Sequence, residues 1–282
     1  MTAQPSLDSA NPVRRYVRGG HRRVDGWLSR LDASLIAAVG QWQNTTGIAG
    51  TVGEIGVHHG RLFILLALLR KPGERAFAID LFDDQQFNLD QSGQGDETAF
   101  RNNLVRFGVE PGSVEFVKGN SMALSWAGLA DRLGPAVRLF SIDGGHTAEI
   151  TRHDLGIADD SLGDGGVIVL DDYFNPEFPA VSEGMCRFMF ERPQALAPFA
   201  IGDNKLLLAR PDWAGRYREM LVEAMPSRHF VRNTELFGHP IVVFRTPRTL
   251  MQIIRQTNLT RRLRSHPVGQ ALKPIVRRFV QG

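Results

Sequence analysis

Two short acidic stretches carry the most chemistry in this chain: Ser141-Ile142-Asp143-Gly144-Gly145-His146 and Val169-Leu170-Asp171-Asp172-Tyr173. Each closes an apolar run of the kind that makes a buried strand. Three carboxylates and an imidazole are therefore expected together at the carboxyl end of a parallel sheet, where open α/β sheets hold ligands. Three acids in one place repel each other unless something positive sits among them. A divalent cation is the simplest answer, and all-oxygen ligation favours Mg2+ or a similar hard ion over zinc. Neighbours on a regular strand point to opposite faces, so Asp171 and Asp172 can share an ion only if the strand has already ended. His146 lies three residues after Asp143, and one helical turn brings its ring over the same pocket. Each residue also has a plainer use. Asp143 could cap the following helix, Asp171 or Asp172 could hold a turn, and His146 could bind a backbone carbonyl.

A second constellation is Glu54-Ile55-Gly56-Val57-His58-His59-Gly60, which closes an earlier strand. Gly56 allows a tight turn and close approach of a ligand, and Gly60 lets the next helix pack near the strand. The order of the glycines does not match the dinucleotide fingerprint. An acid leads instead, which disfavours a pyrophosphate and suits a cofactor carrying a cation, such as the ammonium of a methionine moiety. Asp80 ends the second strand and is placed to accept from ribose hydroxyls. Asn120 and Ser121 follow the third strand and could border an adenine. His58 and His59 read as backbone or cofactor-edge contacts.

The elements that must position these residues alternate. Strands are expected at 50–57, 76–80, 114–117, 137–142 and 166–170, with helices at 62–69, 98–107 and 148–158. That pattern implies a Rossmann-like, doubly wound α/β fold with a mostly parallel seven-stranded sheet. A late antiparallel strand is expected at 205–209, reached through Gly202-Asp203-Asn204. A helix precedes the sheet at 24–43, and a helix at 213–225, a hairpin at 230–244 and a basic helix follow it. The organisation expected is a flexible basic arm at 1–23, a cofactor-binding domain at 24–210 and an extension at 211–282. Two loops look able to shape an acceptor pocket: Phe82 to Asp96, long for an α/β connection, and Tyr173 to Pro179, whose aromatics could stack on a sugar.

The 282 residues carry a net charge of +3, and both ends are basic. From Arg245 to Arg278 there is no Asp or Glu. These ends read as solvated tails or subunit contacts, with weak peripheral membrane contact through the C-terminus as an alternative. No apolar run reaches the roughly 20 residues that span a bilayer, and no secretory signal is evident. One cysteine, Cys186, excludes an internal disulfide framework and fits a reducing compartment. A cytoplasmic homo-oligomer with no nucleic-acid partner is expected.

On Glu54-x-Gly56-x-x-x-Gly60 and Asp80, the chain resembles the class I S-adenosylmethionine-dependent methyltransferases over roughly residues 30–210. More narrowly, Asp143-Gly-x-His146 with Asp171-Asp172-Tyr173-Phe174-Asn175-Pro176 is similar to the branch of macrolide-sugar O-methyltransferases of the mycinamicin and macrocin type. The resemblance implies S-adenosylmethionine held by Glu54, Gly56, Gly60, Asp80, Asn120, Ser121 and Asp143. It implies Mg2+ on Asp143, Asp171 and Asp172, and His146 as the base that deprotonates a sugar hydroxyl. The acceptor would be a small molecule or glycan. Alternatives are a metal-independent small-molecule methyltransferase and a non-catalytic binding protein on the same fold.

Overall fold

The computed structural model describes residues 11–247 except 90 and 135. The chain divides into two units, Met1–Arg245 and Thr246–Gly282, and the described strands and helices all belong to the first. The basic C-terminal helix expected from 249 onward lies outside the described residues, as do residues 1–10.

Five parallel strands form the heart of the sheet: β1 (Thr51–Ile55), β2 (Ala76–Asp80), β3 (Val114–Lys118), β4 (Val137–Ile142) and β5 (Leu162–Asp171). Four more continue it: β6 (Ala197–Ile201), β7 (Lys205–Ala209), β8 (Phe230–Leu236) and β9 (His239–Phe244). The order across the sheet is β3-β2-β1-β4-β5-β7-β6-β9-β8. β7 runs antiparallel to β5 and pairs Lys205 opposite Asp171. The expected hairpin β8-β9 is part of the same sheet, because β9 pairs in parallel with β6.

The central strands are buried on both faces, which is why they read as continuous apolar runs. In β5, Val167 and Val169 join one apolar cluster while Ile168 and Leu170 join the other. The first cluster packs under α2 (Arg30–Thr46), α3 (Phe63–Leu69), α4 (Glu97–Arg106) and α8 (Pro211–Ala224). The second packs under α5 (Trp126–Leu133), α6 (Ala148–Ser161) and α7 (Pro179–Glu191). α5 shows the logic in small: Trp126, Leu129 and Leu133 fall on one face and are buried, and Ser125 caps the first turn by accepting from Gly128 N–H.

The N-terminal segment differs from expectation. From Pro12 to Arg23 it is an ordered helix, α1 (Pro12–Arg18), followed by a 3-10 turn, not a flexible arm. Val13 and Tyr16 lie one turn apart and are buried, while Arg14, Arg15 and Arg18 face solvent. The Tyr16 hydroxyl donates to the Arg61 carbonyl at 2.6 Å, and Arg61 Nε donates to the His21 carbonyl at 2.8 Å. Two aromatic or aliphatic anchors and these bonds outweigh the solvation of the arginines. Among the described residues, no helix is long and apolar enough to cross a membrane.

Candidate active site

The order of the strands reverses between β1 and β4, the switch point at which doubly wound sheets bind ligands. A cavity of about 400 Å³ opens there, lined by the carboxyl ends of β1, β2, β4 and β5.

Glu54 sits next to last on β1, hydrogen-bonded into the sheet between β2 and β4. Its side chain is buried, and Oε2 has no hydrogen-bond partner. Burial pushes its carboxyl up to about 8, against the pull of the nearby Lys205 ammonium. A buried carboxylate oxygen with nothing to accept from is costly, and it fits the ammonium of a methionine moiety. Gly56 follows at φ +83°, where a Cβ would overlap the Asp143 carbonyl oxygen. No other residue could make this turn, and the opening beside β4 depends on it. At Gly60, φ is +89° and a Cβ would meet Phe100 of α4 at 2.7 Å. Asp80 ends β2 and accepts from Phe82 N–H at 2.6 Å and His58 N–H at 2.9 Å. Burial raises its carboxyl, and those two N–H groups restrain the rise. Asn120 and Ser121 line the far end of the same cavity. His58 also lines it, stacked on His59 with ring centroids 3.9 Å apart. Gly56 and Asp80 line the cavity directly, whereas Glu54 is buried one residue before Ile55, which also lines it; these residues are the cradle that would hold S-adenosylmethionine.

The acidic cluster lies beside this cradle. Thr147, not Asp143, caps α6 by accepting from Ile150 N–H, so the Asp143 carboxylate is left for other work. β5 ends at Asp171, and Asp172 turns into the left-handed region at φ +57°. The two acids are thus freed from strand alternation. One donor atom from each of Asp143, His146 and Asp172 lies within 4.8 Å of the others. The two carboxylates form an oxygen donor pair that fits a hard divalent cation, with the His146 imidazole beside it.

Asp171, expected as a third ligand, is not brought into that set. Its carboxylate, at the cavity wall, accepts from Lys205 Nζ, from the Asn204 side-chain amide at 2.8 Å and from Asp172 N–H at 2.9 Å. Lys205 Nζ also stands 3.7 Å from Asp143 Oδ2. Burial works against the charge of Lys205, but Asp171 and Asp143 more than offset it and keep the ammonium. Part of the positive charge that the acids require is therefore built into the chain.

His146 is fixed from three directions. Nε2 lies 3.1 Å from Asp172 Oδ2, and Nδ1 lies 3.0 Å from Ser92 Oγ. Its ring stacks on Phe178 at 3.8 Å with a 12° tilt. Burial alone would raise Asp172, but hydrogen bonds from His146, Asn204 and Asn175 hold it down at about 2. The Phe82 to Asp96 loop covers the pocket as expected. Asn88 ties it together through the Ser92 and Gly93 carbonyls at 2.7 and 3.1 Å. Of the aromatics after Asp172, Tyr173 is buried and Phe174 faces solvent, so Phe178 alone reaches the cavity.

Residues 54–173 match the family model described as a methyltransferase domain. That stretch is a methyltransferase domain. The matched stretch begins at Glu54 and ends just past Asp172, so it holds both the cradle and the acidic cluster. Among solved structures, the methyltransferase is similar to the O-methyltransferase NovP, at 15% identity and a TM-score of 0.57, covering 72% of this chain and 99% of that one. It is also similar to CalS11, a TDP-rhamnose 3'-O-methyltransferase of calicheamicin biosynthesis (17% identity, TM-score 0.49, 74% and 97% covered). A third is TomG from Streptomyces achromogenes, solved in complex with its methyl donor (17% identity, TM-score 0.49, 74% and 90% covered). No curated protein matches the sequence.

Lys205, Asn204, Ser92 and Phe178 act on the site without having been singled out by motif. Lys205 had a readable signal: a charge at the head of Leu206-Leu207-Leu208-Ala209, a run otherwise apolar. The methyltransferase positions it through α2. Asp32 in the first turn of that helix accepts from Asp203 N–H at 2.9 Å and Asn204 N–H at 3.3 Å. The turn that presents Asn204 and Lys205 is thereby pinned.

Proposed function

We propose that the methyltransferase transfers a methyl group to a hydroxyl of a sugar or glycosylated metabolite, assisted by Mg2+ or a similar divalent cation. The observation that carries this reading is His146, clamped between Asp172 and Phe178 in the cavity that Gly56 and Asp80 also line. S-adenosylmethionine, when bound, supplies a methyl group already activated on a sulfonium. A divalent cation, when bound, supplies Lewis acidity that lowers the pKa of the acceptor hydroxyl.

The protein's own residues do the rest. Glu54 pairs with the donor's ammonium, Asp80 accepts from its ribose, and Asn120 and Ser121 border its adenine. Asp143 and Asp172 hold the cation. Asp172 has one carboxylate lone pair left after its bonds to His146, Asn204 and Asn175. With the Nε2 proton donated to Asp172, Nδ1 of His146 becomes the proton acceptor. Ser92 Oγ then marks the position an acceptor hydroxyl would take. Base catalysis of this kind contributes about 10²–10⁴-fold, and alignment of the two reactants roughly 7–11 kcal/mol in favourable cases. Gln85, Asn88, Asn175 and Glu177 around the cavity give polar partners for a sugar. The likeness in fold to NovP, an O-methyltransferase, supports oxygen as the methyl acceptor. A cytoplasmic homo-oligomer remains the expectation from composition.

The test is transfer of labelled methyl from S-adenosylmethionine to a panel of sugar nucleotides and glycosides, with and without EDTA, followed by Asp143→Ala. Loss of transfer in both arms is expected. Full activity in both would remove the metal and favour the metal-independent alternative.

A further inference from the structure

Among the described residues lining the cavity, none is Lys or Arg, whereas Asp80, Asp143, Asp171, Asp172 and Glu177 all line it. Lys205 lies just behind them at 2% exposure, out of reach of an acceptor. It is the first residue of β7, and its register opposite Asp171 is set by the sheet itself. Its ammonium bonds Asp171 and stands 3.7 Å from Asp143 Oδ2. Asn204, its neighbour, donates one side-chain amide to both Asp171 and Asp172, at 2.8 and 2.6 Å. Asp32 in turn anchors the backbone of that turn. Every link in this chain of contacts is buried or half-buried, so the arrangement is a fixed part of the fold.

We infer that Lys205 is a positioning residue, a resident cation that withholds Asp171 from the divalent ion and leaves Asp143 and Asp172 as its carboxylate ligands. The inference rests on the metal reading proposed for this site. Asp171 and Lys205 form a neutral pair beside Asp143, so the pair as a whole contributes little to the ion's binding, although each charge alone contributes strongly. A unit positive charge 3.7 Å from a ligand oxygen weakens cation binding, and the more so as the effective dielectric falls below that of water.

Mn2+ binding to the protein without donor or acceptor, followed by electron paramagnetic resonance, reads this directly and needs no turnover. Lys205→Met is expected to bind Mn2+ about tenfold or more tightly than wild type, because a repelling charge is lost and Asp171 is released. Asp171→Asn is expected to bind about tenfold or more weakly, because Lys205 is left uncompensated. The double variant, Lys205→Met with Asp171→Asn, is expected to return close to wild type. Replacing a buried ion pair with neutral side chains of similar size is generally well tolerated. The double variant therefore keeps the test open even if Lys205→Met alone fails to fold. A double variant as weak as Asp171→Asn would make Asp171 a ligand and overturn the inference, and so would a Lys205→Met variant that folds but binds more weakly than wild type. If wild type binds no Mn2+, the metal reading falls by itself. The Lys205 assignment then survives only if Lys205→Met creates a site, and it falls if none appears.

Discussion

Replacing Glu54 with glutamine keeps the shape of the side chain and removes a charge that its surroundings resist. The carboxyl is raised from 4.5 to about 8, chiefly by burial. Because the folded pKa lies above the unfolded one, stability is fully present below about pH 4.5 and is lost as pH rises towards 8. Over that interval the unfolded chain ionises while the folded chain stays protonated. At about 1.4 kcal/mol per unit, the span of roughly 3.5 units amounts to about 5 kcal/mol. Lys205 loses a favourable neighbour in the variant, so a gain of about 2–4 kcal/mol at pH 8 is a fairer expectation for Glu54→Gln. In a domain of this size that is a rise in Tm of roughly 5–15 °C near pH 8, with none near pH 4.5. Differential scanning calorimetry of both proteins across this range, without cofactor, reads the difference. The same substitution removes the partner of the donor's ammonium. It should weaken S-adenosylhomocysteine by about 10–100-fold, the usual worth of a hydrogen bond to a charged group. Parallel stability profiles together with unchanged affinity would refute the assignment of Glu54 as a buried carboxyl awaiting a cation.

His146→Asn should lower methyl transfer by about 10²–10⁴-fold while leaving S-adenosylhomocysteine affinity unchanged; a proportional loss of both would reduce His146 to a structural part of the pocket. Asp32→Ala should cost about 1–3 kcal/mol in urea unfolding, because two backbone N–H groups of the 202–204 turn lose their acceptor. It should also disturb Mn2+ binding through Asn204 and Lys205. Stability and Mn2+ affinity both at wild-type level would show that the turn holds its shape without α2.

Most of the frame was legible because its strands are buried on both faces and its turns carry distinctive residues. β2 and β4 have the bounds their apolar runs predict, and Gly56 needs the backbone conformation its place after an acid suggested. α5 and α7 were harder to read. In α7 the exposed Phe190 blurs the stripe that Val181, Met185, Phe188 and Met189 make, and in α5 only eight residues are available to show a period. The N-terminal segment misled because arginines dominate its composition, whereas two buried side chains decide its structure. At the site, motifs identified the acids but not their division of labour. Asp171 and Asp172 are neighbours in sequence, yet one faces a lysine and the other a histidine. That difference arises from a register set by β7 and from a left-handed residue at 172, and neither is local to the Asp-Asp pair. Charge balance among the acids also needed a partner distant in sequence. The lysine that meets it comes from a strand reached only after α7 and β6.

Everything proposed for the site depends on the cavity at the switch point holding S-adenosylmethionine through Glu54, Gly56 and Asp80. Isothermal titration with S-adenosylhomocysteine tests this most directly. Saturable binding is predicted, one molecule per chain, displaced by S-adenosylmethionine. A chain that is folded by circular dichroism but gives no binding heat or melting shift up to millimolar ligand would contradict it.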